Sequence, residues 1–297
     1  MRSPDFDAAK INGLSQIIEH YFQRAQNCVP LNLSLLENVS KSSGPLTQEQ
    51  TEQAHYACMI ENLAVADWVS QNIGQCDRIS SYSMGLFSAL IYSKALEFES
   101  TFKLVHSICN LVHSQLGSQA WSVGAVIDFP KERLLELMSA QNASLEITDY
   151  YGPHTILFTG PSKNVKEVLD QALSDGANMT RLIPLTAPFH TSRLDDIQTQ
   201  LEPLVQQLKI QNPMWPILSS LNQKWLLQAE DIRVELHNNV TAPMNWFSTV
   251  QEIEALGSDT IAECGASIGL SDMVRSMLPE SWNCLDFQNF ASVPVMK

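Results

Sequence analysis

One serine and one histidine in this sequence have the surroundings that covalent catalysis requires, and the serine is the clearer of the two. Ser83 lies between a strand-like run, Ile79–Tyr82, and a helix-like run that begins at Met84. A serine on such a tight turn is held exposed and strained, and the backbone N–H of the next residue can stabilise an oxyanion. Ser81 and Gly85 take the glycine positions of the usual Gly-x-Ser-x-Gly pattern. The turn predicts Ser83 as a nucleophile and the Met84 backbone N–H as an oxyanion donor.

A nucleophilic serine needs a base, and His190 stands out among the seven histidines of the chain. It follows a predicted strand in the run Leu185-Thr-Ala-Pro-Phe-His-Thr, where an inserted unit returns to a larger domain beside a cleft between two lobes. Functional sites tend to lie in such clefts. A histidine that accepts the serine proton and later returns it is the standard logic of acyl transfer. The alternatives at this point are an ordinary turn serine and a structural histidine.

The inserted unit has a recognisable order of elements. The predicted elements are a strand at 121–127, a helix at 130–139, strands at 144–150 and 155–159, a helix at 162–176 and a strand at 179–185. This βαββαβ order is the ferredoxin-like split unit. We therefore expect an α/β protein, with a hydrolase-like large domain that contains a parallel sheet. The large domain would occupy residues 1–119 and 189–297, with the ferredoxin-like small subdomain at 120–188.

Composition excludes several classes of protein. The 297 residues are 44% hydrophobic and 17% charged, as expected for a packed globular protein. A net charge of −14 argues against nucleic acid or an anionic membrane as a partner. No apolar run reaches the roughly 18 residues of a membrane span. The six cysteines form no C-x-x-C pair, so no metal site or disulfide framework is indicated, and we expect a cytoplasmic protein.

Five segments of the chain resemble, in order, the motifs of the malonyl-CoA:acyl-carrier-protein transacylases and of polyketide synthase acyltransferase domains. They are Tyr82-Ser-Met-Gly-Leu-Phe-Ser-Ala-Leu with Ala95-Leu-Glu-Phe, Phe158-Thr-Gly-Pro with 165–177, Ala187-Pro-Phe-His, Pro243-Met-Asn-Trp and Glu263-Cys-Gly. The resemblance covers about residues 45–277. It implies the same two-lobe fold that the order of elements suggests.

The resemblance also assigns roles to residues. It implies that Ser83 is the nucleophile, His190 its partner and the Met84 amide one oxyanion donor. The main-chain carbonyl of Asn245 would orient His190 in place of an acidic residue. No cofactor is implied, because acyl-CoA or a phosphopantetheinyl acyl carrier protein is the substrate, and acyl carrier protein is the implied partner.

The chain departs from the family pattern around the substrate. It contains no Gly-Gln-Gly, the motif whose glutamine completes the family's oxyanion hole, and loss of one such donor typically costs about 2.7–4 kcal/mol. The arginine that clamps a malonyl carboxylate falls on Ile108, which cannot satisfy a buried charge. The histidine that usually precedes the serine is Tyr82, and an asparagine that faces acyl-CoA falls near Tyr151. With Phe189 expected to shape the pocket, these residues predict a substrate site for something uncharged.

The resulting hypothesis is a trans-acting, serine-dependent acyltransferase. It would move an acetyl or other neutral acyl group between thioesters of CoA or acyl carrier protein, in polyketide or fatty-acid-like biosynthesis. A hydrolase that clears acyl groups from carrier proteins would use the same dyad and differ only in letting water reach the acyl-serine. A catalytically inactive binding protein is the third possibility, and the absent Gly-Gln-Gly supports it.

Overall fold

Helices dominate the first part of the chain. The computed structural model describes residues 7–32, 34–35, 47–116, 119–141, 145–185, 187–267 and 269–290. The first elements are α1 (Leu14–Gln26), α2 (Gln48–Asn72), β1 (Ile79–Ser80), α3 (Gly85–Tyr92) and α4 (Phe98–Leu116). Helix α2 begins at a capping box, in which the side chains of Thr47 and Gln50 each accept a hydrogen bond from the other residue's backbone N–H. Among the described residues, no helix combines the length and the apolar character that a membrane span requires.

A four-stranded antiparallel sheet with two helices follows. Its elements are β2 (Trp121–Ile127), α5 (Lys131–Ser139), β3 (Glu146–Gly152), β4 (Thr155–Pro161), α6 (Ser162–Ser174) and β5 (Met179–Leu185). The strand order in the sheet is β3-β4-β2-β5. Strand, helix, strand, strand, helix and strand thus succeed one another in the order that the sequence pattern predicts, and α6 packs against β2 and β5.

The last part of the chain completes two short sheets. Its elements are α7 (Asp195–Gln206), β6 (Ile217–Leu218), β7 (Trp225–Leu226), α8 (Ala229–Asn238), α9 (Trp246–Ala255), β8 (Thr260–Ala262), α10 (Gly269–Met277) and β9 (Asn283–Leu285). Strand β6 pairs in parallel with β1 and antiparallel with β7, and β8 pairs in parallel with β9. The α/β class and the parallel sheet predicted from the sequence are confirmed.

Three apolar clusters hold these elements, and the serine turn lies where two of them meet. The largest cluster joins α1 to α4 with α7 and α8, and the second fills the sheet of β2 to β5. The third is built on Trp246 of α9 and Val274 of α10. Tyr82 packs against the third cluster and Met84 against the first. The two neighbours of Ser83 are therefore anchored in different parts of the core.

Close packing in the second cluster gives a stability prediction. A Cβ at Gly124 of β2 would lie 2.7 Å from the Phe158 ring and 3.0 Å from Val165. Because Phe158 is fully buried, the ring has no room to move away. We expect Gly124→Ala to lower the free energy of unfolding by about 1–3 kcal/mol, as overpacked cores do. Urea unfolding followed by circular dichroism measures the change.

Gly85→Ala is the matched control for that variant. No atom lies within 4 Å of the position that a Cβ would take at Gly85, and the residue opens helix α3. Alanine favours helix over glycine, so the control should be unchanged or slightly stabilised. Equal unfolding midpoints for the two variants would contradict the packing described for β2.

Candidate active site

Ser83 occupies a sharp turn between strand β1 and helix α3. Its backbone φ is 50°, a left-handed conformation that costs a non-glycine residue about 1–3 kcal/mol. The turn is closed by hydrogen bonds from the N–H of Gly85 to the carbonyl of Tyr82 (2.8 Å) and from the N–H of Leu86 to the carbonyl of Ser83 (3.1 Å). The strained turn presents a partly exposed serine side chain.

His190 meets this serine directly. Its Nε2 lies 2.8 Å from the Ser83 Oγ, within the distance that proton transfer requires. The histidine also has a left-handed backbone, with φ 63°, and its backbone N–H donates to the carbonyl of Val240 at 2.7 Å. With only 6% of its surface exposed, the ring is fixed in one place. The two residues that the sequence singled out are thus in hydrogen-bonding contact.

A main-chain carbonyl orients the histidine, but it belongs to Ala242. The His190 Nδ1 lies 3.3 Å from the Ala242 oxygen. A proton on Nδ1 that donates to this carbonyl leaves Nε2 free to accept the serine proton. No carboxylate within the described ranges takes this role by a hydrogen bond to the ring.

The prediction that Asn245 supplies this carbonyl is therefore wrong. The main-chain carbonyl oxygen of Asn245 instead accepts hydrogen bonds from the backbone N–H (3.1 Å) and the hydroxyl (2.8 Å) of Thr249. It also accepts one from Gln223 Nε2 at 3.3 Å. The physical reason is that Asn245 is the N-cap of α9, so its carbonyl accepts the first bond of the helix. The loop just before the helix provides the acceptor for His190.

Burial controls the protonation of the histidine. It lowers the pKa of His190 to about 4, although hydrogen bonds to the carbonyls of Ala242 and Asn239 act to raise it. The imidazole is therefore neutral near pH 7 and able to accept a proton.

The Met84 N–H, the predicted oxyanion donor, lies at the N-terminal end of α3. It stands at the start of α3, where backbone N–H groups lack partners within the helix, and no acceptor in the described part of the chain binds it. The helix dipole adds a favourable field for negative charge at this end. Its position is consistent with the predicted role.

Phe189, which precedes His190 in the chain, and Ile108 share the largest apolar cluster. That Ile108 lines the substrate pocket stays a prediction. Ile108 of α4 is 6% exposed and belongs to the largest cluster, against which Phe189 packs. The His55 ring lies 5.9 Å from the Phe189 ring, and its Nδ1 lies 3.5 Å from the sulfur of Cys109. Burial lowers the pKa of His55 to about 4 and raises the pKa of Cys109 to about 12. His55, which contacts Phe189, and Cys109, which contacts His55, are therefore uncharged at neutral pH.

Nothing in the sequence placed His55 here, because it has the pattern of an ordinary helix-face histidine. The only signal in the sequence is that His55 stands alone among apolar residues of α2. This pattern does not show which part of the core the side chain faces. The contact with Phe189 joins residues far apart in the chain, and only the folded structure brings them together.

Tyr82 and Tyr151 have hydroxyl partners within the protein. Tyr82 donates to a carboxylate oxygen of Asp149 at 2.7 Å, and Tyr151 donates to the carbonyl of Gly269 at 2.7 Å. Their rings contact each other edge to face at 5.9 Å. That they contact substrate stays a prediction. Asp149 was not predicted as a site residue from the sequence. The one signal available there is an acidic residue inside a strand.

Comparisons with known proteins place this geometry in context. No family model matches the chain. Over 203 residues it is 22% identical to the polyketide biosynthesis protein ThaF of Burkholderia thailandensis, a match that covers 68% of this chain and 17% of that protein. Over 204 residues it is 22% identical to a malonyl CoA-acyl carrier protein transacylase of Staphylococcus aureus, covering 68% of this chain and 66% of that enzyme. The chain therefore spans less than two thirds of both relatives.

Solved structures give the same picture across almost the whole chain. A malonyl CoA-acyl carrier protein transacylase from Coxiella burnetii superposes with a TM-score of 0.78 at 21% identity, covering 94% of this chain and 88% of that one. A malonyl transacylase solved in complex with a type II polyketide synthase acyl carrier protein gives 0.82 at 19% identity, covering 98% and 95%. The similarity that the sequence motifs indicated is thus confirmed, and the chain has the α/β fold of the malonyl-CoA:acyl-carrier-protein transacylases.

Proposed function

We propose that this protein is a serine-dependent acyltransferase that moves a neutral acyl group between thioesters. The observation that carries the proposal is the 2.8 Å contact between Ser83 Oγ and His190 Nε2, made by a serine on a strained turn. The formed contact also counts against an inactive binding protein, because such a protein gains nothing from holding both residues in left-handed backbone conformations.

The mechanism follows from the positions of the groups. The Ser83 proton moves to His190 Nε2 while Oγ bonds to the carbonyl carbon of the thioester, and the resulting oxyanion faces the Met84 N–H. Collapse breaks the carbon–sulfur bond, and the imidazolium returns its proton to the leaving thiolate. In the second half, His190 takes the proton of an incoming thiol and the sulfur bonds to the acyl carbon. Collapse of this second intermediate breaks the bond from the acyl carbon to Oγ, and His190 returns the proton to Ser83.

The surroundings of Phe189 favour an acyl group without a carboxylate. Ile108 offers no charge, and His55 and Cys109 are neutral because of burial. Glu52 also lies near enough to raise the pKa of both, so its carboxylate would repel that of a malonyl group. Burying an unpaired malonyl carboxylate there would carry a large free-energy cost.

The dyad itself has no cationic partner in the described ranges. Neither arginine nor lysine forms a hydrogen bond or ion pair with Ser83 or His190 in the part of the chain that the structure describes. Arg193, the nearest arginine in sequence to His190, instead lies 3.5 Å from the Glu146 carboxylate and is 39% exposed. Although relatives are named as malonyl transacylases, no cation among the described residues is bonded to either member of this dyad, which supports the proposal of a neutral acyl group.

The thiol partner we propose is the phosphopantetheine arm of an acyl carrier protein. A structural neighbour was solved in complex with such a carrier protein, and relatives are named as carrier-protein transacylases and a polyketide biosynthesis protein. We infer that this chain acts in trans on a carrier protein of polyketide or fatty-acid-like biosynthesis.

Intact-protein mass spectrometry tests the chemistry. On mixing with acetyl-CoA and longer neutral acyl-CoA donors, we expect a mass increase of one acyl group at Ser83. Ser83→Ala should abolish it, and His190→Ala should slow it by about 10²–10⁴-fold, as loss of a general base does. Ser114→Ala, which changes an exposed serine of α4, is the matched control.

The fate of the adduct separates transfer from hydrolysis. We expect the acyl-serine to persist in buffer and to disappear when phosphopantetheinylated carrier protein is added. Rapid loss in buffer alone would instead identify a hydrolase, and no adduct from any donor would contradict the enzyme proposal.

The pH dependence of acylation tests the state of the histidine. The neutral imidazole is the active form, and its folded pKa is lowered to about 4. Acylation should therefore still be measurable at pH 5, with complete loss only as the pH falls through about 4. Stopped-flow acylation with an acid-stable thioester measures this, with circular dichroism to check the fold. Complete loss of acylation by pH 5 in folded protein would contradict a buried, neutral base.

Ile108→Arg tests the acyl selectivity. We expect the ratio of malonyl to acetyl acylation to rise by at least tenfold, because the guanidinium can pair with the malonyl carboxylate. Asn110→Arg adds the same charge at an exposed position of α4 and should leave the ratio unchanged, as should the uncharged Ile108→Gln. Preference for malonyl-CoA in the unaltered protein would overturn the neutral-substrate proposal.

A further inference from the structure

The strongest unassigned feature of this protein is the side chain of Asp149 on β3. It is completely buried and connects two segments that belong to the active site. Oδ2 accepts a hydrogen bond from the Tyr82 hydroxyl at 2.7 Å, and Oδ1 accepts one from the backbone N–H of Trp246 at 3.0 Å. The two donors also touch each other, since the rings of Tyr82 and Trp246 pack edge to face at 5.4 Å. The carboxylate thus connects Tyr82 and Trp246 in a closed group of three mutually contacting residues.

This carboxylate has no cationic partner among the described residues. The titratable groups that face it are the hydroxyls of Tyr82 and Tyr151, and Glu263 lies beyond Tyr151. Burial raises the pKa of Asp149 to about 6, against the effect of its two hydrogen bonds. A buried acid without a counter-ion costs stability, and stability alone does not account for it here.

Its two partners lead directly to the two halves of the dyad. Tyr82 immediately precedes Ser83. Trp246 directly follows the segment 240–245. The carbonyls of Val240 and Ala242 in this segment accept hydrogen bonds from the backbone N–H and the ring Nδ1 of His190. The carboxylate of Asp149 therefore lies between the element that carries the nucleophile and the element that orients the base.

The backbone around Asp149 reinforces this arrangement. The Met244 N–H donates to the carbonyl of Thr148 at 2.8 Å, and the Tyr150 N–H donates to the carbonyl of Met244 at 3.3 Å. These bonds align β3 with the segment that precedes α9, but they do not reach the serine turn. The hydrogen bond from Tyr82 to Asp149 makes that last connection.

We propose that Asp149 is a positioning residue for acyl transfer, which sets the serine turn and the histidine-orienting segment 240–245 at the separation that proton transfer needs. The proposal rests on the proposed function. It requires no contact between Asp149 and substrate. It implies that the chemical step depends on this carboxylate while the binding of acyl donor does not.

Three variants test the connection. Asp149→Ala removes both hydrogen-bond acceptors. Tyr82→Phe removes one donor and preserves the ring packing. The double variant removes both partners of the hydrogen bond between Tyr82 and Asp149. We expect each single variant to lower kcat for acylation by about 10–100-fold, as small misplacements of reacting groups do, with KM for the acyl-CoA within twofold. The double variant should be no slower than Asp149→Ala, because both changes break one arrangement.

Asp149→Asn and Glu235→Gln separate positioning from stability. Since burial disfavours the charged acid, the neutral amide of Asp149→Asn should not lower Tm at pH 7.5, yet kcat should fall because an amide cannot accept from both donors. Glu235 is also buried, and it accepts from the Ser219 hydroxyl at 2.7 Å rather than from the serine turn. Glu235→Gln should leave kcat unchanged. Variants of Asp149 and Tyr82 that lose Tm but keep kcat per folded molecule would overturn the proposal.

The pH profile supplies a second readout. In the unaltered protein the acylation rate should drop partially as the pH falls through about 6, where Asp149 takes up a proton, before the final loss near pH 4. Asp149→Asn should lack the upper step, and Glu235→Gln should retain it. An upper step that persists in Asp149→Asn counts against the proposal.

A fluorophosphonate probe makes the test independent of the acyl substrate. Such probes label a serine activated by histidine whatever its natural donor, so the rate of labelling at Ser83 reports the dyad directly. If no thioester acylates the unaltered protein but the probe does, slower labelling in Tyr82→Phe and Asp149→Asn still supports the positioning role while the proposed function fails. Equal labelling rates in all variants, or no labelling of the unaltered protein, would overturn it.

Discussion

The contact between Ser83 Oγ and His190 Nε2 is the interaction on which the arrangement of this protein depends. Its length is 2.8 Å, and both residues adopt left-handed backbone conformations, each at a cost. The serine is held by a helix that starts immediately after it. The histidine is held by the carbonyls of Val240 and Ala242. A strained pair of this kind persists because the surrounding core determines its position on both sides.

Burial then decides the electrostatics of the same pair. A histidine that is oriented by an uncharged carbonyl, and not by a carboxylate, has no nearby negative charge to stabilise its protonated form. Burial therefore lowers the pKa of His190 with no carboxylate to offset it, and burial is likewise the main reason that His55 and Cys109 are neutral. The base must therefore gain its stabilisation during the reaction, when the developing oxyanion supplies the negative charge. The apolar region at Ile108 fits this pattern, because it adds no fixed charge that would compete.

Local sequence determined what could be predicted. The serine turn, the strand and helix order of residues 121–185 and the position of His190 after the last strand all follow from short-range patterns, and the structure reproduces each of them. The carbonyl partner could not be found in this way. Ala242 and Asn245 lie in one short segment, and which of them faces the imidazole depends on where helix α9 begins. His55 and Asp149 could not be predicted from the sequence for a related reason. Their surroundings are set by long-range contacts and not by their neighbours in sequence.

Asp149 also shows how a protein of several apolar clusters can build a precise site between them. Clusters that pack independently leave their relative placement to the few polar contacts that cross the boundary. Tyr82 packs against the third cluster and Met84 against the first, so contacts with both clusters hold the serine turn. A buried carboxylate accepts hydrogen bonds in fixed directions, whereas apolar contacts tolerate sliding. Replacement of this group by a hydrophobic side chain could raise stability, but it would give up the directional constraint. In the role proposed for Asp149, the stability lost by burying a carboxylate is exchanged for a fixed geometry at the serine turn.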